Sequence, residues 1–317
     1  MSLRIAPPIR EALRTGLPVV ALESTVVTHG LPRPRNLDLA RRLELVVREA
    51  GALPATVGVL DGALVVGVDD VELQRLANDD TADKASLWNV AAVLARGAAA
   101  GTTVATTLYA ATRAGIQVFA TGGIGGVHDR PFDESADLAA LGRFPVLTVC
   151  AGPKSILDAA GTLERLESLG VPVLGYRSTK LAGFVVSEVD LPLPARVETP
   201  REAARVLLAQ RALGLDAGIV LSNPVSDGLD PQRFAAWLDL ARSDLSERGV
   251  RGRDTTPYLL ARLAELSEGA TVDTNLRLLE ENARLAGAVA VELCDLGPAR
   301  PEVAAGAAGA VLPGGSA

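Results

Sequence analysis

Short apolar runs alternate with longer amphipathic ones along most of the chain. Pro18 to Leu22 reads as a buried strand, and Arg35 to Ala50 as a helix whose apolar positions recur every three and four residues. Thr56 to Leu60 and Ala63 to Val68 flank Asp61-Gly62, a strong hairpin signal. Beyond the hairpin the pattern predicts a short helix over Val71 to Leu76, a longer one over Leu87 to Ala99, and a strand at Gln117 to Ala120. Lys154 to Leu169 and Pro200 to Leu213 read as helices, Val171 to Tyr176 and Ala217 to Leu221 as strands. Helices over Thr256 to Ser267 and Val272 to Ala286, then a strand over Ala288 to Cys294, complete the pattern. Strand–helix alternation with no internal repeat and no clear linker implies one α/β/α domain over residues 1–300, with a mixed, mainly parallel sheet flanked by helices. The Ala/Gly/Pro-rich stretch 301–317 is expected to be a disordered tail.

Composition narrows the function classes. At 48 % hydrophobic and 22 % charged, the 317 residues suffice for a large core. A net charge of −7 argues against nucleic-acid binding, whose surfaces are basic. Aromatic residues, at 3 %, are too few for several stacked bases. No apolar run is long enough to span a bilayer, and the first residues lack the pattern of a signal peptide. The two cysteines, Cys150 and Cys294, lie in apolar runs and read as buried thiols of a reducing compartment. A cytoplasmic enzyme or binding protein is the expectation.

The basic residues carry the first chemical clue. Of 31, only Lys84, Lys154 and Lys180 are lysines; the rest are arginines. Arginine stays protonated, whereas a desolvated lysine can lose its proton and attack a carbonyl. Lys180, in the polar stretch Tyr176 to Lys180, reads as a surface residue. Lys154 follows the apolar run Val146 to Cys150 and a Gly152-Pro153 break, at the carboxyl end of a strand, where α/β proteins bind ligands.

Four further segments join polar residues to strand ends. Glu23 directly follows a buried strand and suits a general acid or base; a helix-capping or ion-paired Glu is the bland alternative. Thr121-Gly122-Gly123-Ile124-Gly125-Gly126 resembles an anion nest without being a Walker loop or a dinucleotide fingerprint, and His128 follows it. A simple tight turn remains the other reading. Asp133, Glu134 and Asp137 fall within five residues; with Asp133 and Asp137 a helical turn apart, they suit a hard cation or merely a helix N-terminus. Asn275 and Asn282 offer amides to a sugar. Together these suggest a Schiff-base enzyme acting on a phosphorylated sugar.

Glu23-Ser24-Thr25 with His29-Gly30, the block Lys84 to Ser86, Phe119 to His128, Phe132 to Leu138, Cys150 to Asp158, and Asp273 to Leu285 resemble the pseudouridine-5′-phosphate glycosidases, the indigoidine synthase A-like family. The resemblance spans about Ile5 to Leu293. It implies reversible making and breaking of a C–C glycosidic bond to ribose 5-phosphate, with Lys154 as the imine-forming nucleophile. It further implies proton transfer by Glu23, a second catalytic carboxylate at Asp137, and assistance from His128. Substrate contacts would come from Lys84, the backbone at Val104, Thr121, Gly122, Gly123, Ser135, Ala136, Asp137 and Asn275. A divalent ion, manganese, would sit on Asp133, and the assembly would be a homotrimer. One departure stands out: the family carries Arg then Asp where this chain has Trp88 and Asn89. If that stretch lines the aglycone side, Trp88 and Asn89 would favour a larger planar acceptor, as in the C-ribosylation of aromatic compounds in antibiotic biosynthesis. On that change the sequence leans to a C-glycosynthase, with the degradative glycosidase as the close alternative. A non-catalytic sugar-phosphate-binding protein is the alternative of another class.

Overall fold

A computed structural model describes residues 2–128, 132–250 and 255–297. In chain order its elements are β1 (Ser2–Ile5), α1 (Pro7–Arg14), β2 (Val19–Leu22), a π-helical turn (Val26–Gly30), α2 (Arg35–Glu49), β3 (Leu53–Leu60), β4 (Ala63–Val66), α3 (Asp70–Asn78), β5 (Asp83–Ala85), α4 (Val90–Ala95), β6 (Ala100–Thr102) and α5 (Val104–Ala114). There follow β7 (Val118–Ala120), α6 (Ala136–Leu141), β8 (Leu147–Cys150), α7 (Ala159–Ser168), β9 (Val173–Tyr176), β10 (Lys180–Gly183), β11 (Val186–Pro192), β12 (Ala195–Val197), α8 (Pro200–Ala212), β13 (Ile219–Ser222), α9 (Pro231–Glu247), α10 (Thr255–Leu266) and α11 (Ala270–Leu296).

Nine strands run in the order β1-β4-β3-β2-β7-β8-β13-β9-β12, with β6 added to β3 and β5 to β6. All pairings are parallel except β3 with β4 and with β6. The expected mixed, mainly parallel α/β/α sheet is therefore present. Alternation along β2 shows how both faces are covered. Val20 and Leu22 point into a core built with α2, α8 and α11, while Val19 and Ala21 join one built with α1, α5 and α6. Asp61 and Gly62, at φ 51° and 74°, turn β3 into β4 as the Asp-Gly pair predicts.

Three sequence expectations fail for identifiable reasons. The Leu87–Ala99 helix shrinks to α4, because Asn89 folds its side chain back on the turn before it and Gly97 ends the helix at φ 66°. The helix expected from Lys154 starts only at Ala159, capped by Asp158, since Pro153 is bridged to Ile124 and cannot coil. Ala288–Cys294 is no strand but the end of the 27-residue α11, whose Val289, Ala290 and Leu293 are buried at helical spacing. There α11 passes close to α2: a Cβ on Gly287 would lie 2.6 Å from Ala50 Cβ. The antiparallel β10–β11 hairpin carried no clear pattern signal. Cys150 is buried as expected, but Cys294 is exposed on the outer side of α11. Residues 298–317, including the tail, lie outside the described residues. Among the described residues no helix is long and apolar enough to cross a membrane.

Candidate active site

Three adjacent parallel strands, β2, β7 and β8, end side by side, and the residues that follow them meet. Glu23 follows β2, Thr121 follows β7, and Lys154 lies four residues beyond β8. This is the carboxyl edge at which open α/β sheets gather ligands.

The glycine loop after β7 connects the reactive groups. Thr121 donates a short hydrogen bond from Oγ1 to the Glu23 carboxylate. Two residues on, the Gly123 carbonyl accepts one from Lys154 Nζ at 2.8 Å. The loop is bound to the strand β8 turn by Ala151 N to Gly122 O, Ile124 N to Gly152 O and Lys154 N to Ile124 O. Part of the N–H capacity of this stretch is spent within the protein. The Ile124 amide goes to Gly152 O, that of Gly125 to Asp137, and that of Val127 to Thr162. The glycines also permit close packing. A Cβ on Gly125 would lie 2.2 Å from Ser135 Oγ, and one on Gly126 2.2 Å from Thr162 Oγ1.

Asp137 is buried in the first turn of α6, and both carboxylate oxygens are used. Oδ1 accepts from the Ala105 amide at 3.0 Å and Oδ2 from that of Gly125 at 2.9 Å. It thus ties the glycine loop to the start of α5, where Val104 contributes the first helical residue. Asp133 is exposed and precedes α6, so the two aspartates do not share a helical face as their spacing suggested. The Asp133 carbonyl accepts the His128 amide at 2.8 Å. Ser135 caps α6, its Oγ accepting from the Asp137 amide, and Ala136 is exposed beside it.

Lys84, on β5, completes the electrostatic group. Burial pushes the Glu23 carboxyl above its ordinary value; Lys154, the Thr121 hydroxyl and Lys84 oppose this, and Asp137 adds to it. Lys84 is pushed below the ordinary lysine value by burial and then by Lys154, although part of its side chain reaches solvent. Two lysines and two carboxylates therefore share one field. Cys150, sealed under the loop, has its thiol pushed up to about 11 by burial and is inert there.

Two of the residues singled out from sequence are otherwise engaged. Asn89 accepts the Ser86 amide at 2.8 Å and donates to the Lys84 carbonyl at 3.1 Å, so its amide shapes the Lys84 turn. Asn282 is fully buried and donates to the Thr121 and Gly122 carbonyls, not to a sugar. Trp88 is 83 % exposed. Asn275 lies one turn before Leu278 and Leu279, which pack on Gly122, on the part of α11 nearest the loop. Lys180 pairs with Asp190 at 2.8 Å on the β10–β11 hairpin, as a surface lysine should.

His29 escaped the list of candidate site residues. Its π-helical turn packs on Gly101, which is in register with Lys84; a Cβ on Gly101 would lie 2.2 Å from Thr28 Oγ1. Burial, and then Lys84, pushes the His29 imidazole below its ordinary value. The sequence signals for it were that His29 is one of two histidines and that His29-Gly30 belongs to the blocks carrying the family resemblance. Beside Lys154, a recess of about 580 Å³ is bounded by Pro153, Leu157, Val186, Val189 and Phe234.

A lysine at a strand end, a carboxyl of raised proton affinity and a second lysine thus gather at the carboxyl edge of an α/β sheet, as an enzyme site would. The chain belongs to the indigoidine synthase A-like family, whose model matches residues 8–292. It is 56 % identical over 279 residues to the pseudouridine-5′-phosphate glycosidase of Thermus thermophilus, covering 88 % of this chain and 99 % of that one. The Salinispora tropica pseudouridine-5′-phosphate glycosidase is 48 % identical over 295 residues, 91 % of each chain. Among solved structures, it is similar to the prealnumycin C-glycosynthase AlnA in complex with ribulose 5-phosphate, with TM-score 0.87 and 38 % identity over 93 % of this chain and 98 % of that one. An indigoidine synthase A-like protein of Thermotoga maritima gives TM-score 0.85 and 34 % identity over 93 % of this chain and 97 % of that one. The chain is thus an enzyme, and the non-catalytic reading falls away.

Proposed function

We propose that the protein cleaves pseudouridine 5′-phosphate reversibly to uracil and ribose 5-phosphate through an imine on Lys154. The observation that carries this reading is one loop holding both Lys154 Nζ, on Gly123, and the Glu23 carboxyl, on Thr121. The 56 % identity to the Thermus thermophilus glycosidase, over nearly all of that protein, supports the substrate.

In the cleavage direction, the Lys154 amine, once it has given up its proton, bonds to C1 of the sugar as the bond from C1 to the ring oxygen breaks. Glu23, in the protonated form that burial favours, gives its proton to that oxygen. The resulting carboxylate takes a proton from the newly bonded nitrogen. The nitrogen lone pair then forms the C=N bond while the bond from C1 to the base carbon breaks, and Glu23 returns the proton to that carbon. Water hydrolyses the iminium to ribose 5-phosphate and the free amine, and the proton released restores Glu23. Lys84 and the positive end of α5 at Val104 suit the phosphate, with Ser135, Ala136, His128 and Asn275 around the sugar.

A divalent ion, manganese in this reading, would be held by Asp133. Among the described residues no group of three or more His, Cys, Asp or Glu is set to hold a metal. One exposed hard carboxylate fits an ion completed by water and substrate oxygens, which would neutralise phosphate charge. The homotrimer belongs to the same reading. An apolar recess of about 350 Å³ at Leu87, Val90, Leu94, Tyr109 and Phe144, beside exposed Trp88, is a surface such an assembly would cover.

The second reading is a C-glycosynthase joining ribose 5-phosphate to a planar aromatic acceptor, supported by the likeness to AlnA. The Trp88/Asn89 change supports it less than sequence suggested, since Asn89 is spent on the Lys84 turn. Incubation with pseudouridine 5′-phosphate and Mn2+, with uracil followed by chromatography, tests the choice. Rapid uracil release is expected; an inert substrate together with a borohydride-trapped ribose 5-phosphate adduct would favour the synthase.

A further inference from the structure

Asn282 and Asn223 form a buried amide pair behind the reactive groups, outside any contact the reaction itself requires. Asn282, on α11, is fully buried, and Asn223, just after β13, nearly so. Asn223 donates from Nδ2 to Asn282 Oδ1 at 3.0 Å. Asn282 uses both Nδ2 protons, toward Thr121 O at 2.9 Å and Gly122 O at 3.2 Å. The Asn223 backbone is itself fixed, its amide donating to Cys150 O at 2.8 Å at the end of β8. The pair therefore links α11, β13, β8 and the glycine loop, with both amide protons and the amide oxygen of Asn282 engaged.

A carboxylate or an apolar residue at 282 cannot make this pattern, because it leaves the Thr121 carbonyl without a donor. The Gly122 carbonyl also takes the Ala151 amide, so at Gly122 the Asn282 bond is a second one. Leu278 and Leu279, one turn earlier on α11, press on Gly122 but give no direction to its carbonyl. What the clamp orients is what catalysis uses. Thr121 carries the hydroxyl that meets Glu23, and Gly123 carries the carbonyl that meets Lys154.

We propose that Asn282, held by Asn223, is a positioning residue that sets Thr121 against Glu23 and Gly123 against Lys154. The proposal rests on the reading of Lys154 and Glu23 given above and extends it to a residue that touches no substrate. Thr121 donates to the charged form of Glu23, so losing its alignment favours the protonated form. The groups facing Glu23 that also bear on its titration are Lys154, Asp137 and Lys84, and none of them is substituted in these variants.

The test compares Asn282→Ala, Thr121→Val and the double variant, as folded protein judged by thermal melting, on pseudouridine 5′-phosphate. Asn282→Ala should lower kcat about a hundredfold, the scale of an ångström-level misplacement, with KM changed less than about threefold. The limb of its pH–rate profile governed by Glu23 should move to higher pH, as in Thr121→Val, and the double variant should move it no further. Wild-type kcat per folded molecule with only a lowered melting point overturns the proposal, and so do additive shifts of that limb. Should Asn282→Ala fail to fold, Asn223→Ala frees the same amide. It should give a smaller shift of the same limb, and an unmoved limb overturns the proposal. A wild-type enzyme that neither releases uracil nor traps ribose 5-phosphate with borohydride overturns the functional reading and the proposal with it. An active wild type with unaffected variants overturns the proposal alone.

Discussion

Lys154 and Gly123 are joined by a 2.8 Å hydrogen bond from the side-chain nitrogen to the backbone carbonyl, although 31 residues separate them in sequence. The carbonyl can accept from either protonation state of the lysine, so it orients the nitrogen without fixing its charge. Three constraints bring Gly123 there. Ile124 is bridged to Pro153, the Gly122 carbonyl takes the Ala151 amide, and no side chain on Gly123 is tolerated, since a Cβ would lie 2.6 Å from the Phe184 ring.

Arginine at position 154 should keep a cation near the site and remove the chemistry. Lys154→Arg is expected to lose the borohydride-trapped ribose 5-phosphate adduct entirely, read by intact mass, and to lose about 10⁴-fold or more in kcat. An adduct of unchanged yield would move the nucleophile elsewhere.

Gly101→Ala tests the packing that places Lys84. The added methyl would meet Thr28 Oγ1 at 2.2 Å and the Ser24 carbonyl at 2.8 Å, and the carbonyl cannot swing away. Strand β6 or the π-helical turn must shift, at a cost on the order of 1–3 kcal/mol. Because Gly101 is in register with Lys84, activity should fall along with the urea midpoint. A variant as stable and active as wild type would show that this contact relaxes freely.

Asp133→Ala should leave stability within about 0.5 kcal/mol, as an exposed residue does. Its activity should need several-fold more Mn2+ for half-maximal rate. Titration of chelated enzyme with manganese reads this directly. Indifference of both proteins to chelator removes the metal from Asp133.

The sequence was most informative where local chemistry and tertiary structure agree. Glu23 and Lys154 could be picked out because each follows a buried parallel strand, and all such strands release their residues on one edge. Asp61-Gly62 specified its hairpin because positive φ there is a local property. What stayed hidden depends on distant partners. How closely the glycine loop is packed is decided by Ser135, Thr162 and Phe184, none of them its neighbours in sequence. Asn282 read as a sugar ligand because an amide's partner cannot be seen from its own helix. Ala288–Cys294 read as a strand because a short apolar run suits either a strand or a buried helix face, and only packing against α2 decides.

Glu23→Gln separates the cost of the acid from its use. Burial is the largest influence on this carboxyl and raises its pKa, outweighing the attraction of Lys154 and the Thr121 hydrogen bond. The folded state therefore holds the proton more tightly than the unfolded chain, whose glutamate titrates near the ordinary value of about 4.3. Whatever stability the group contributes is present below that value and is lost as pH rises through the folded pKa, where the buried site must carry a charge. Glutamine is neutral at every pH and can still accept from Thr121. The variant should be inactive in uracil release. Its stability relative to wild type, read by urea unfolding, should be small near pH 4.5 and larger at pH 8. An equal difference at both pH values, or a variant less stable at pH 8, would mean that Lys154 and Thr121 together outweigh burial and that Glu23 rests as a carboxylate.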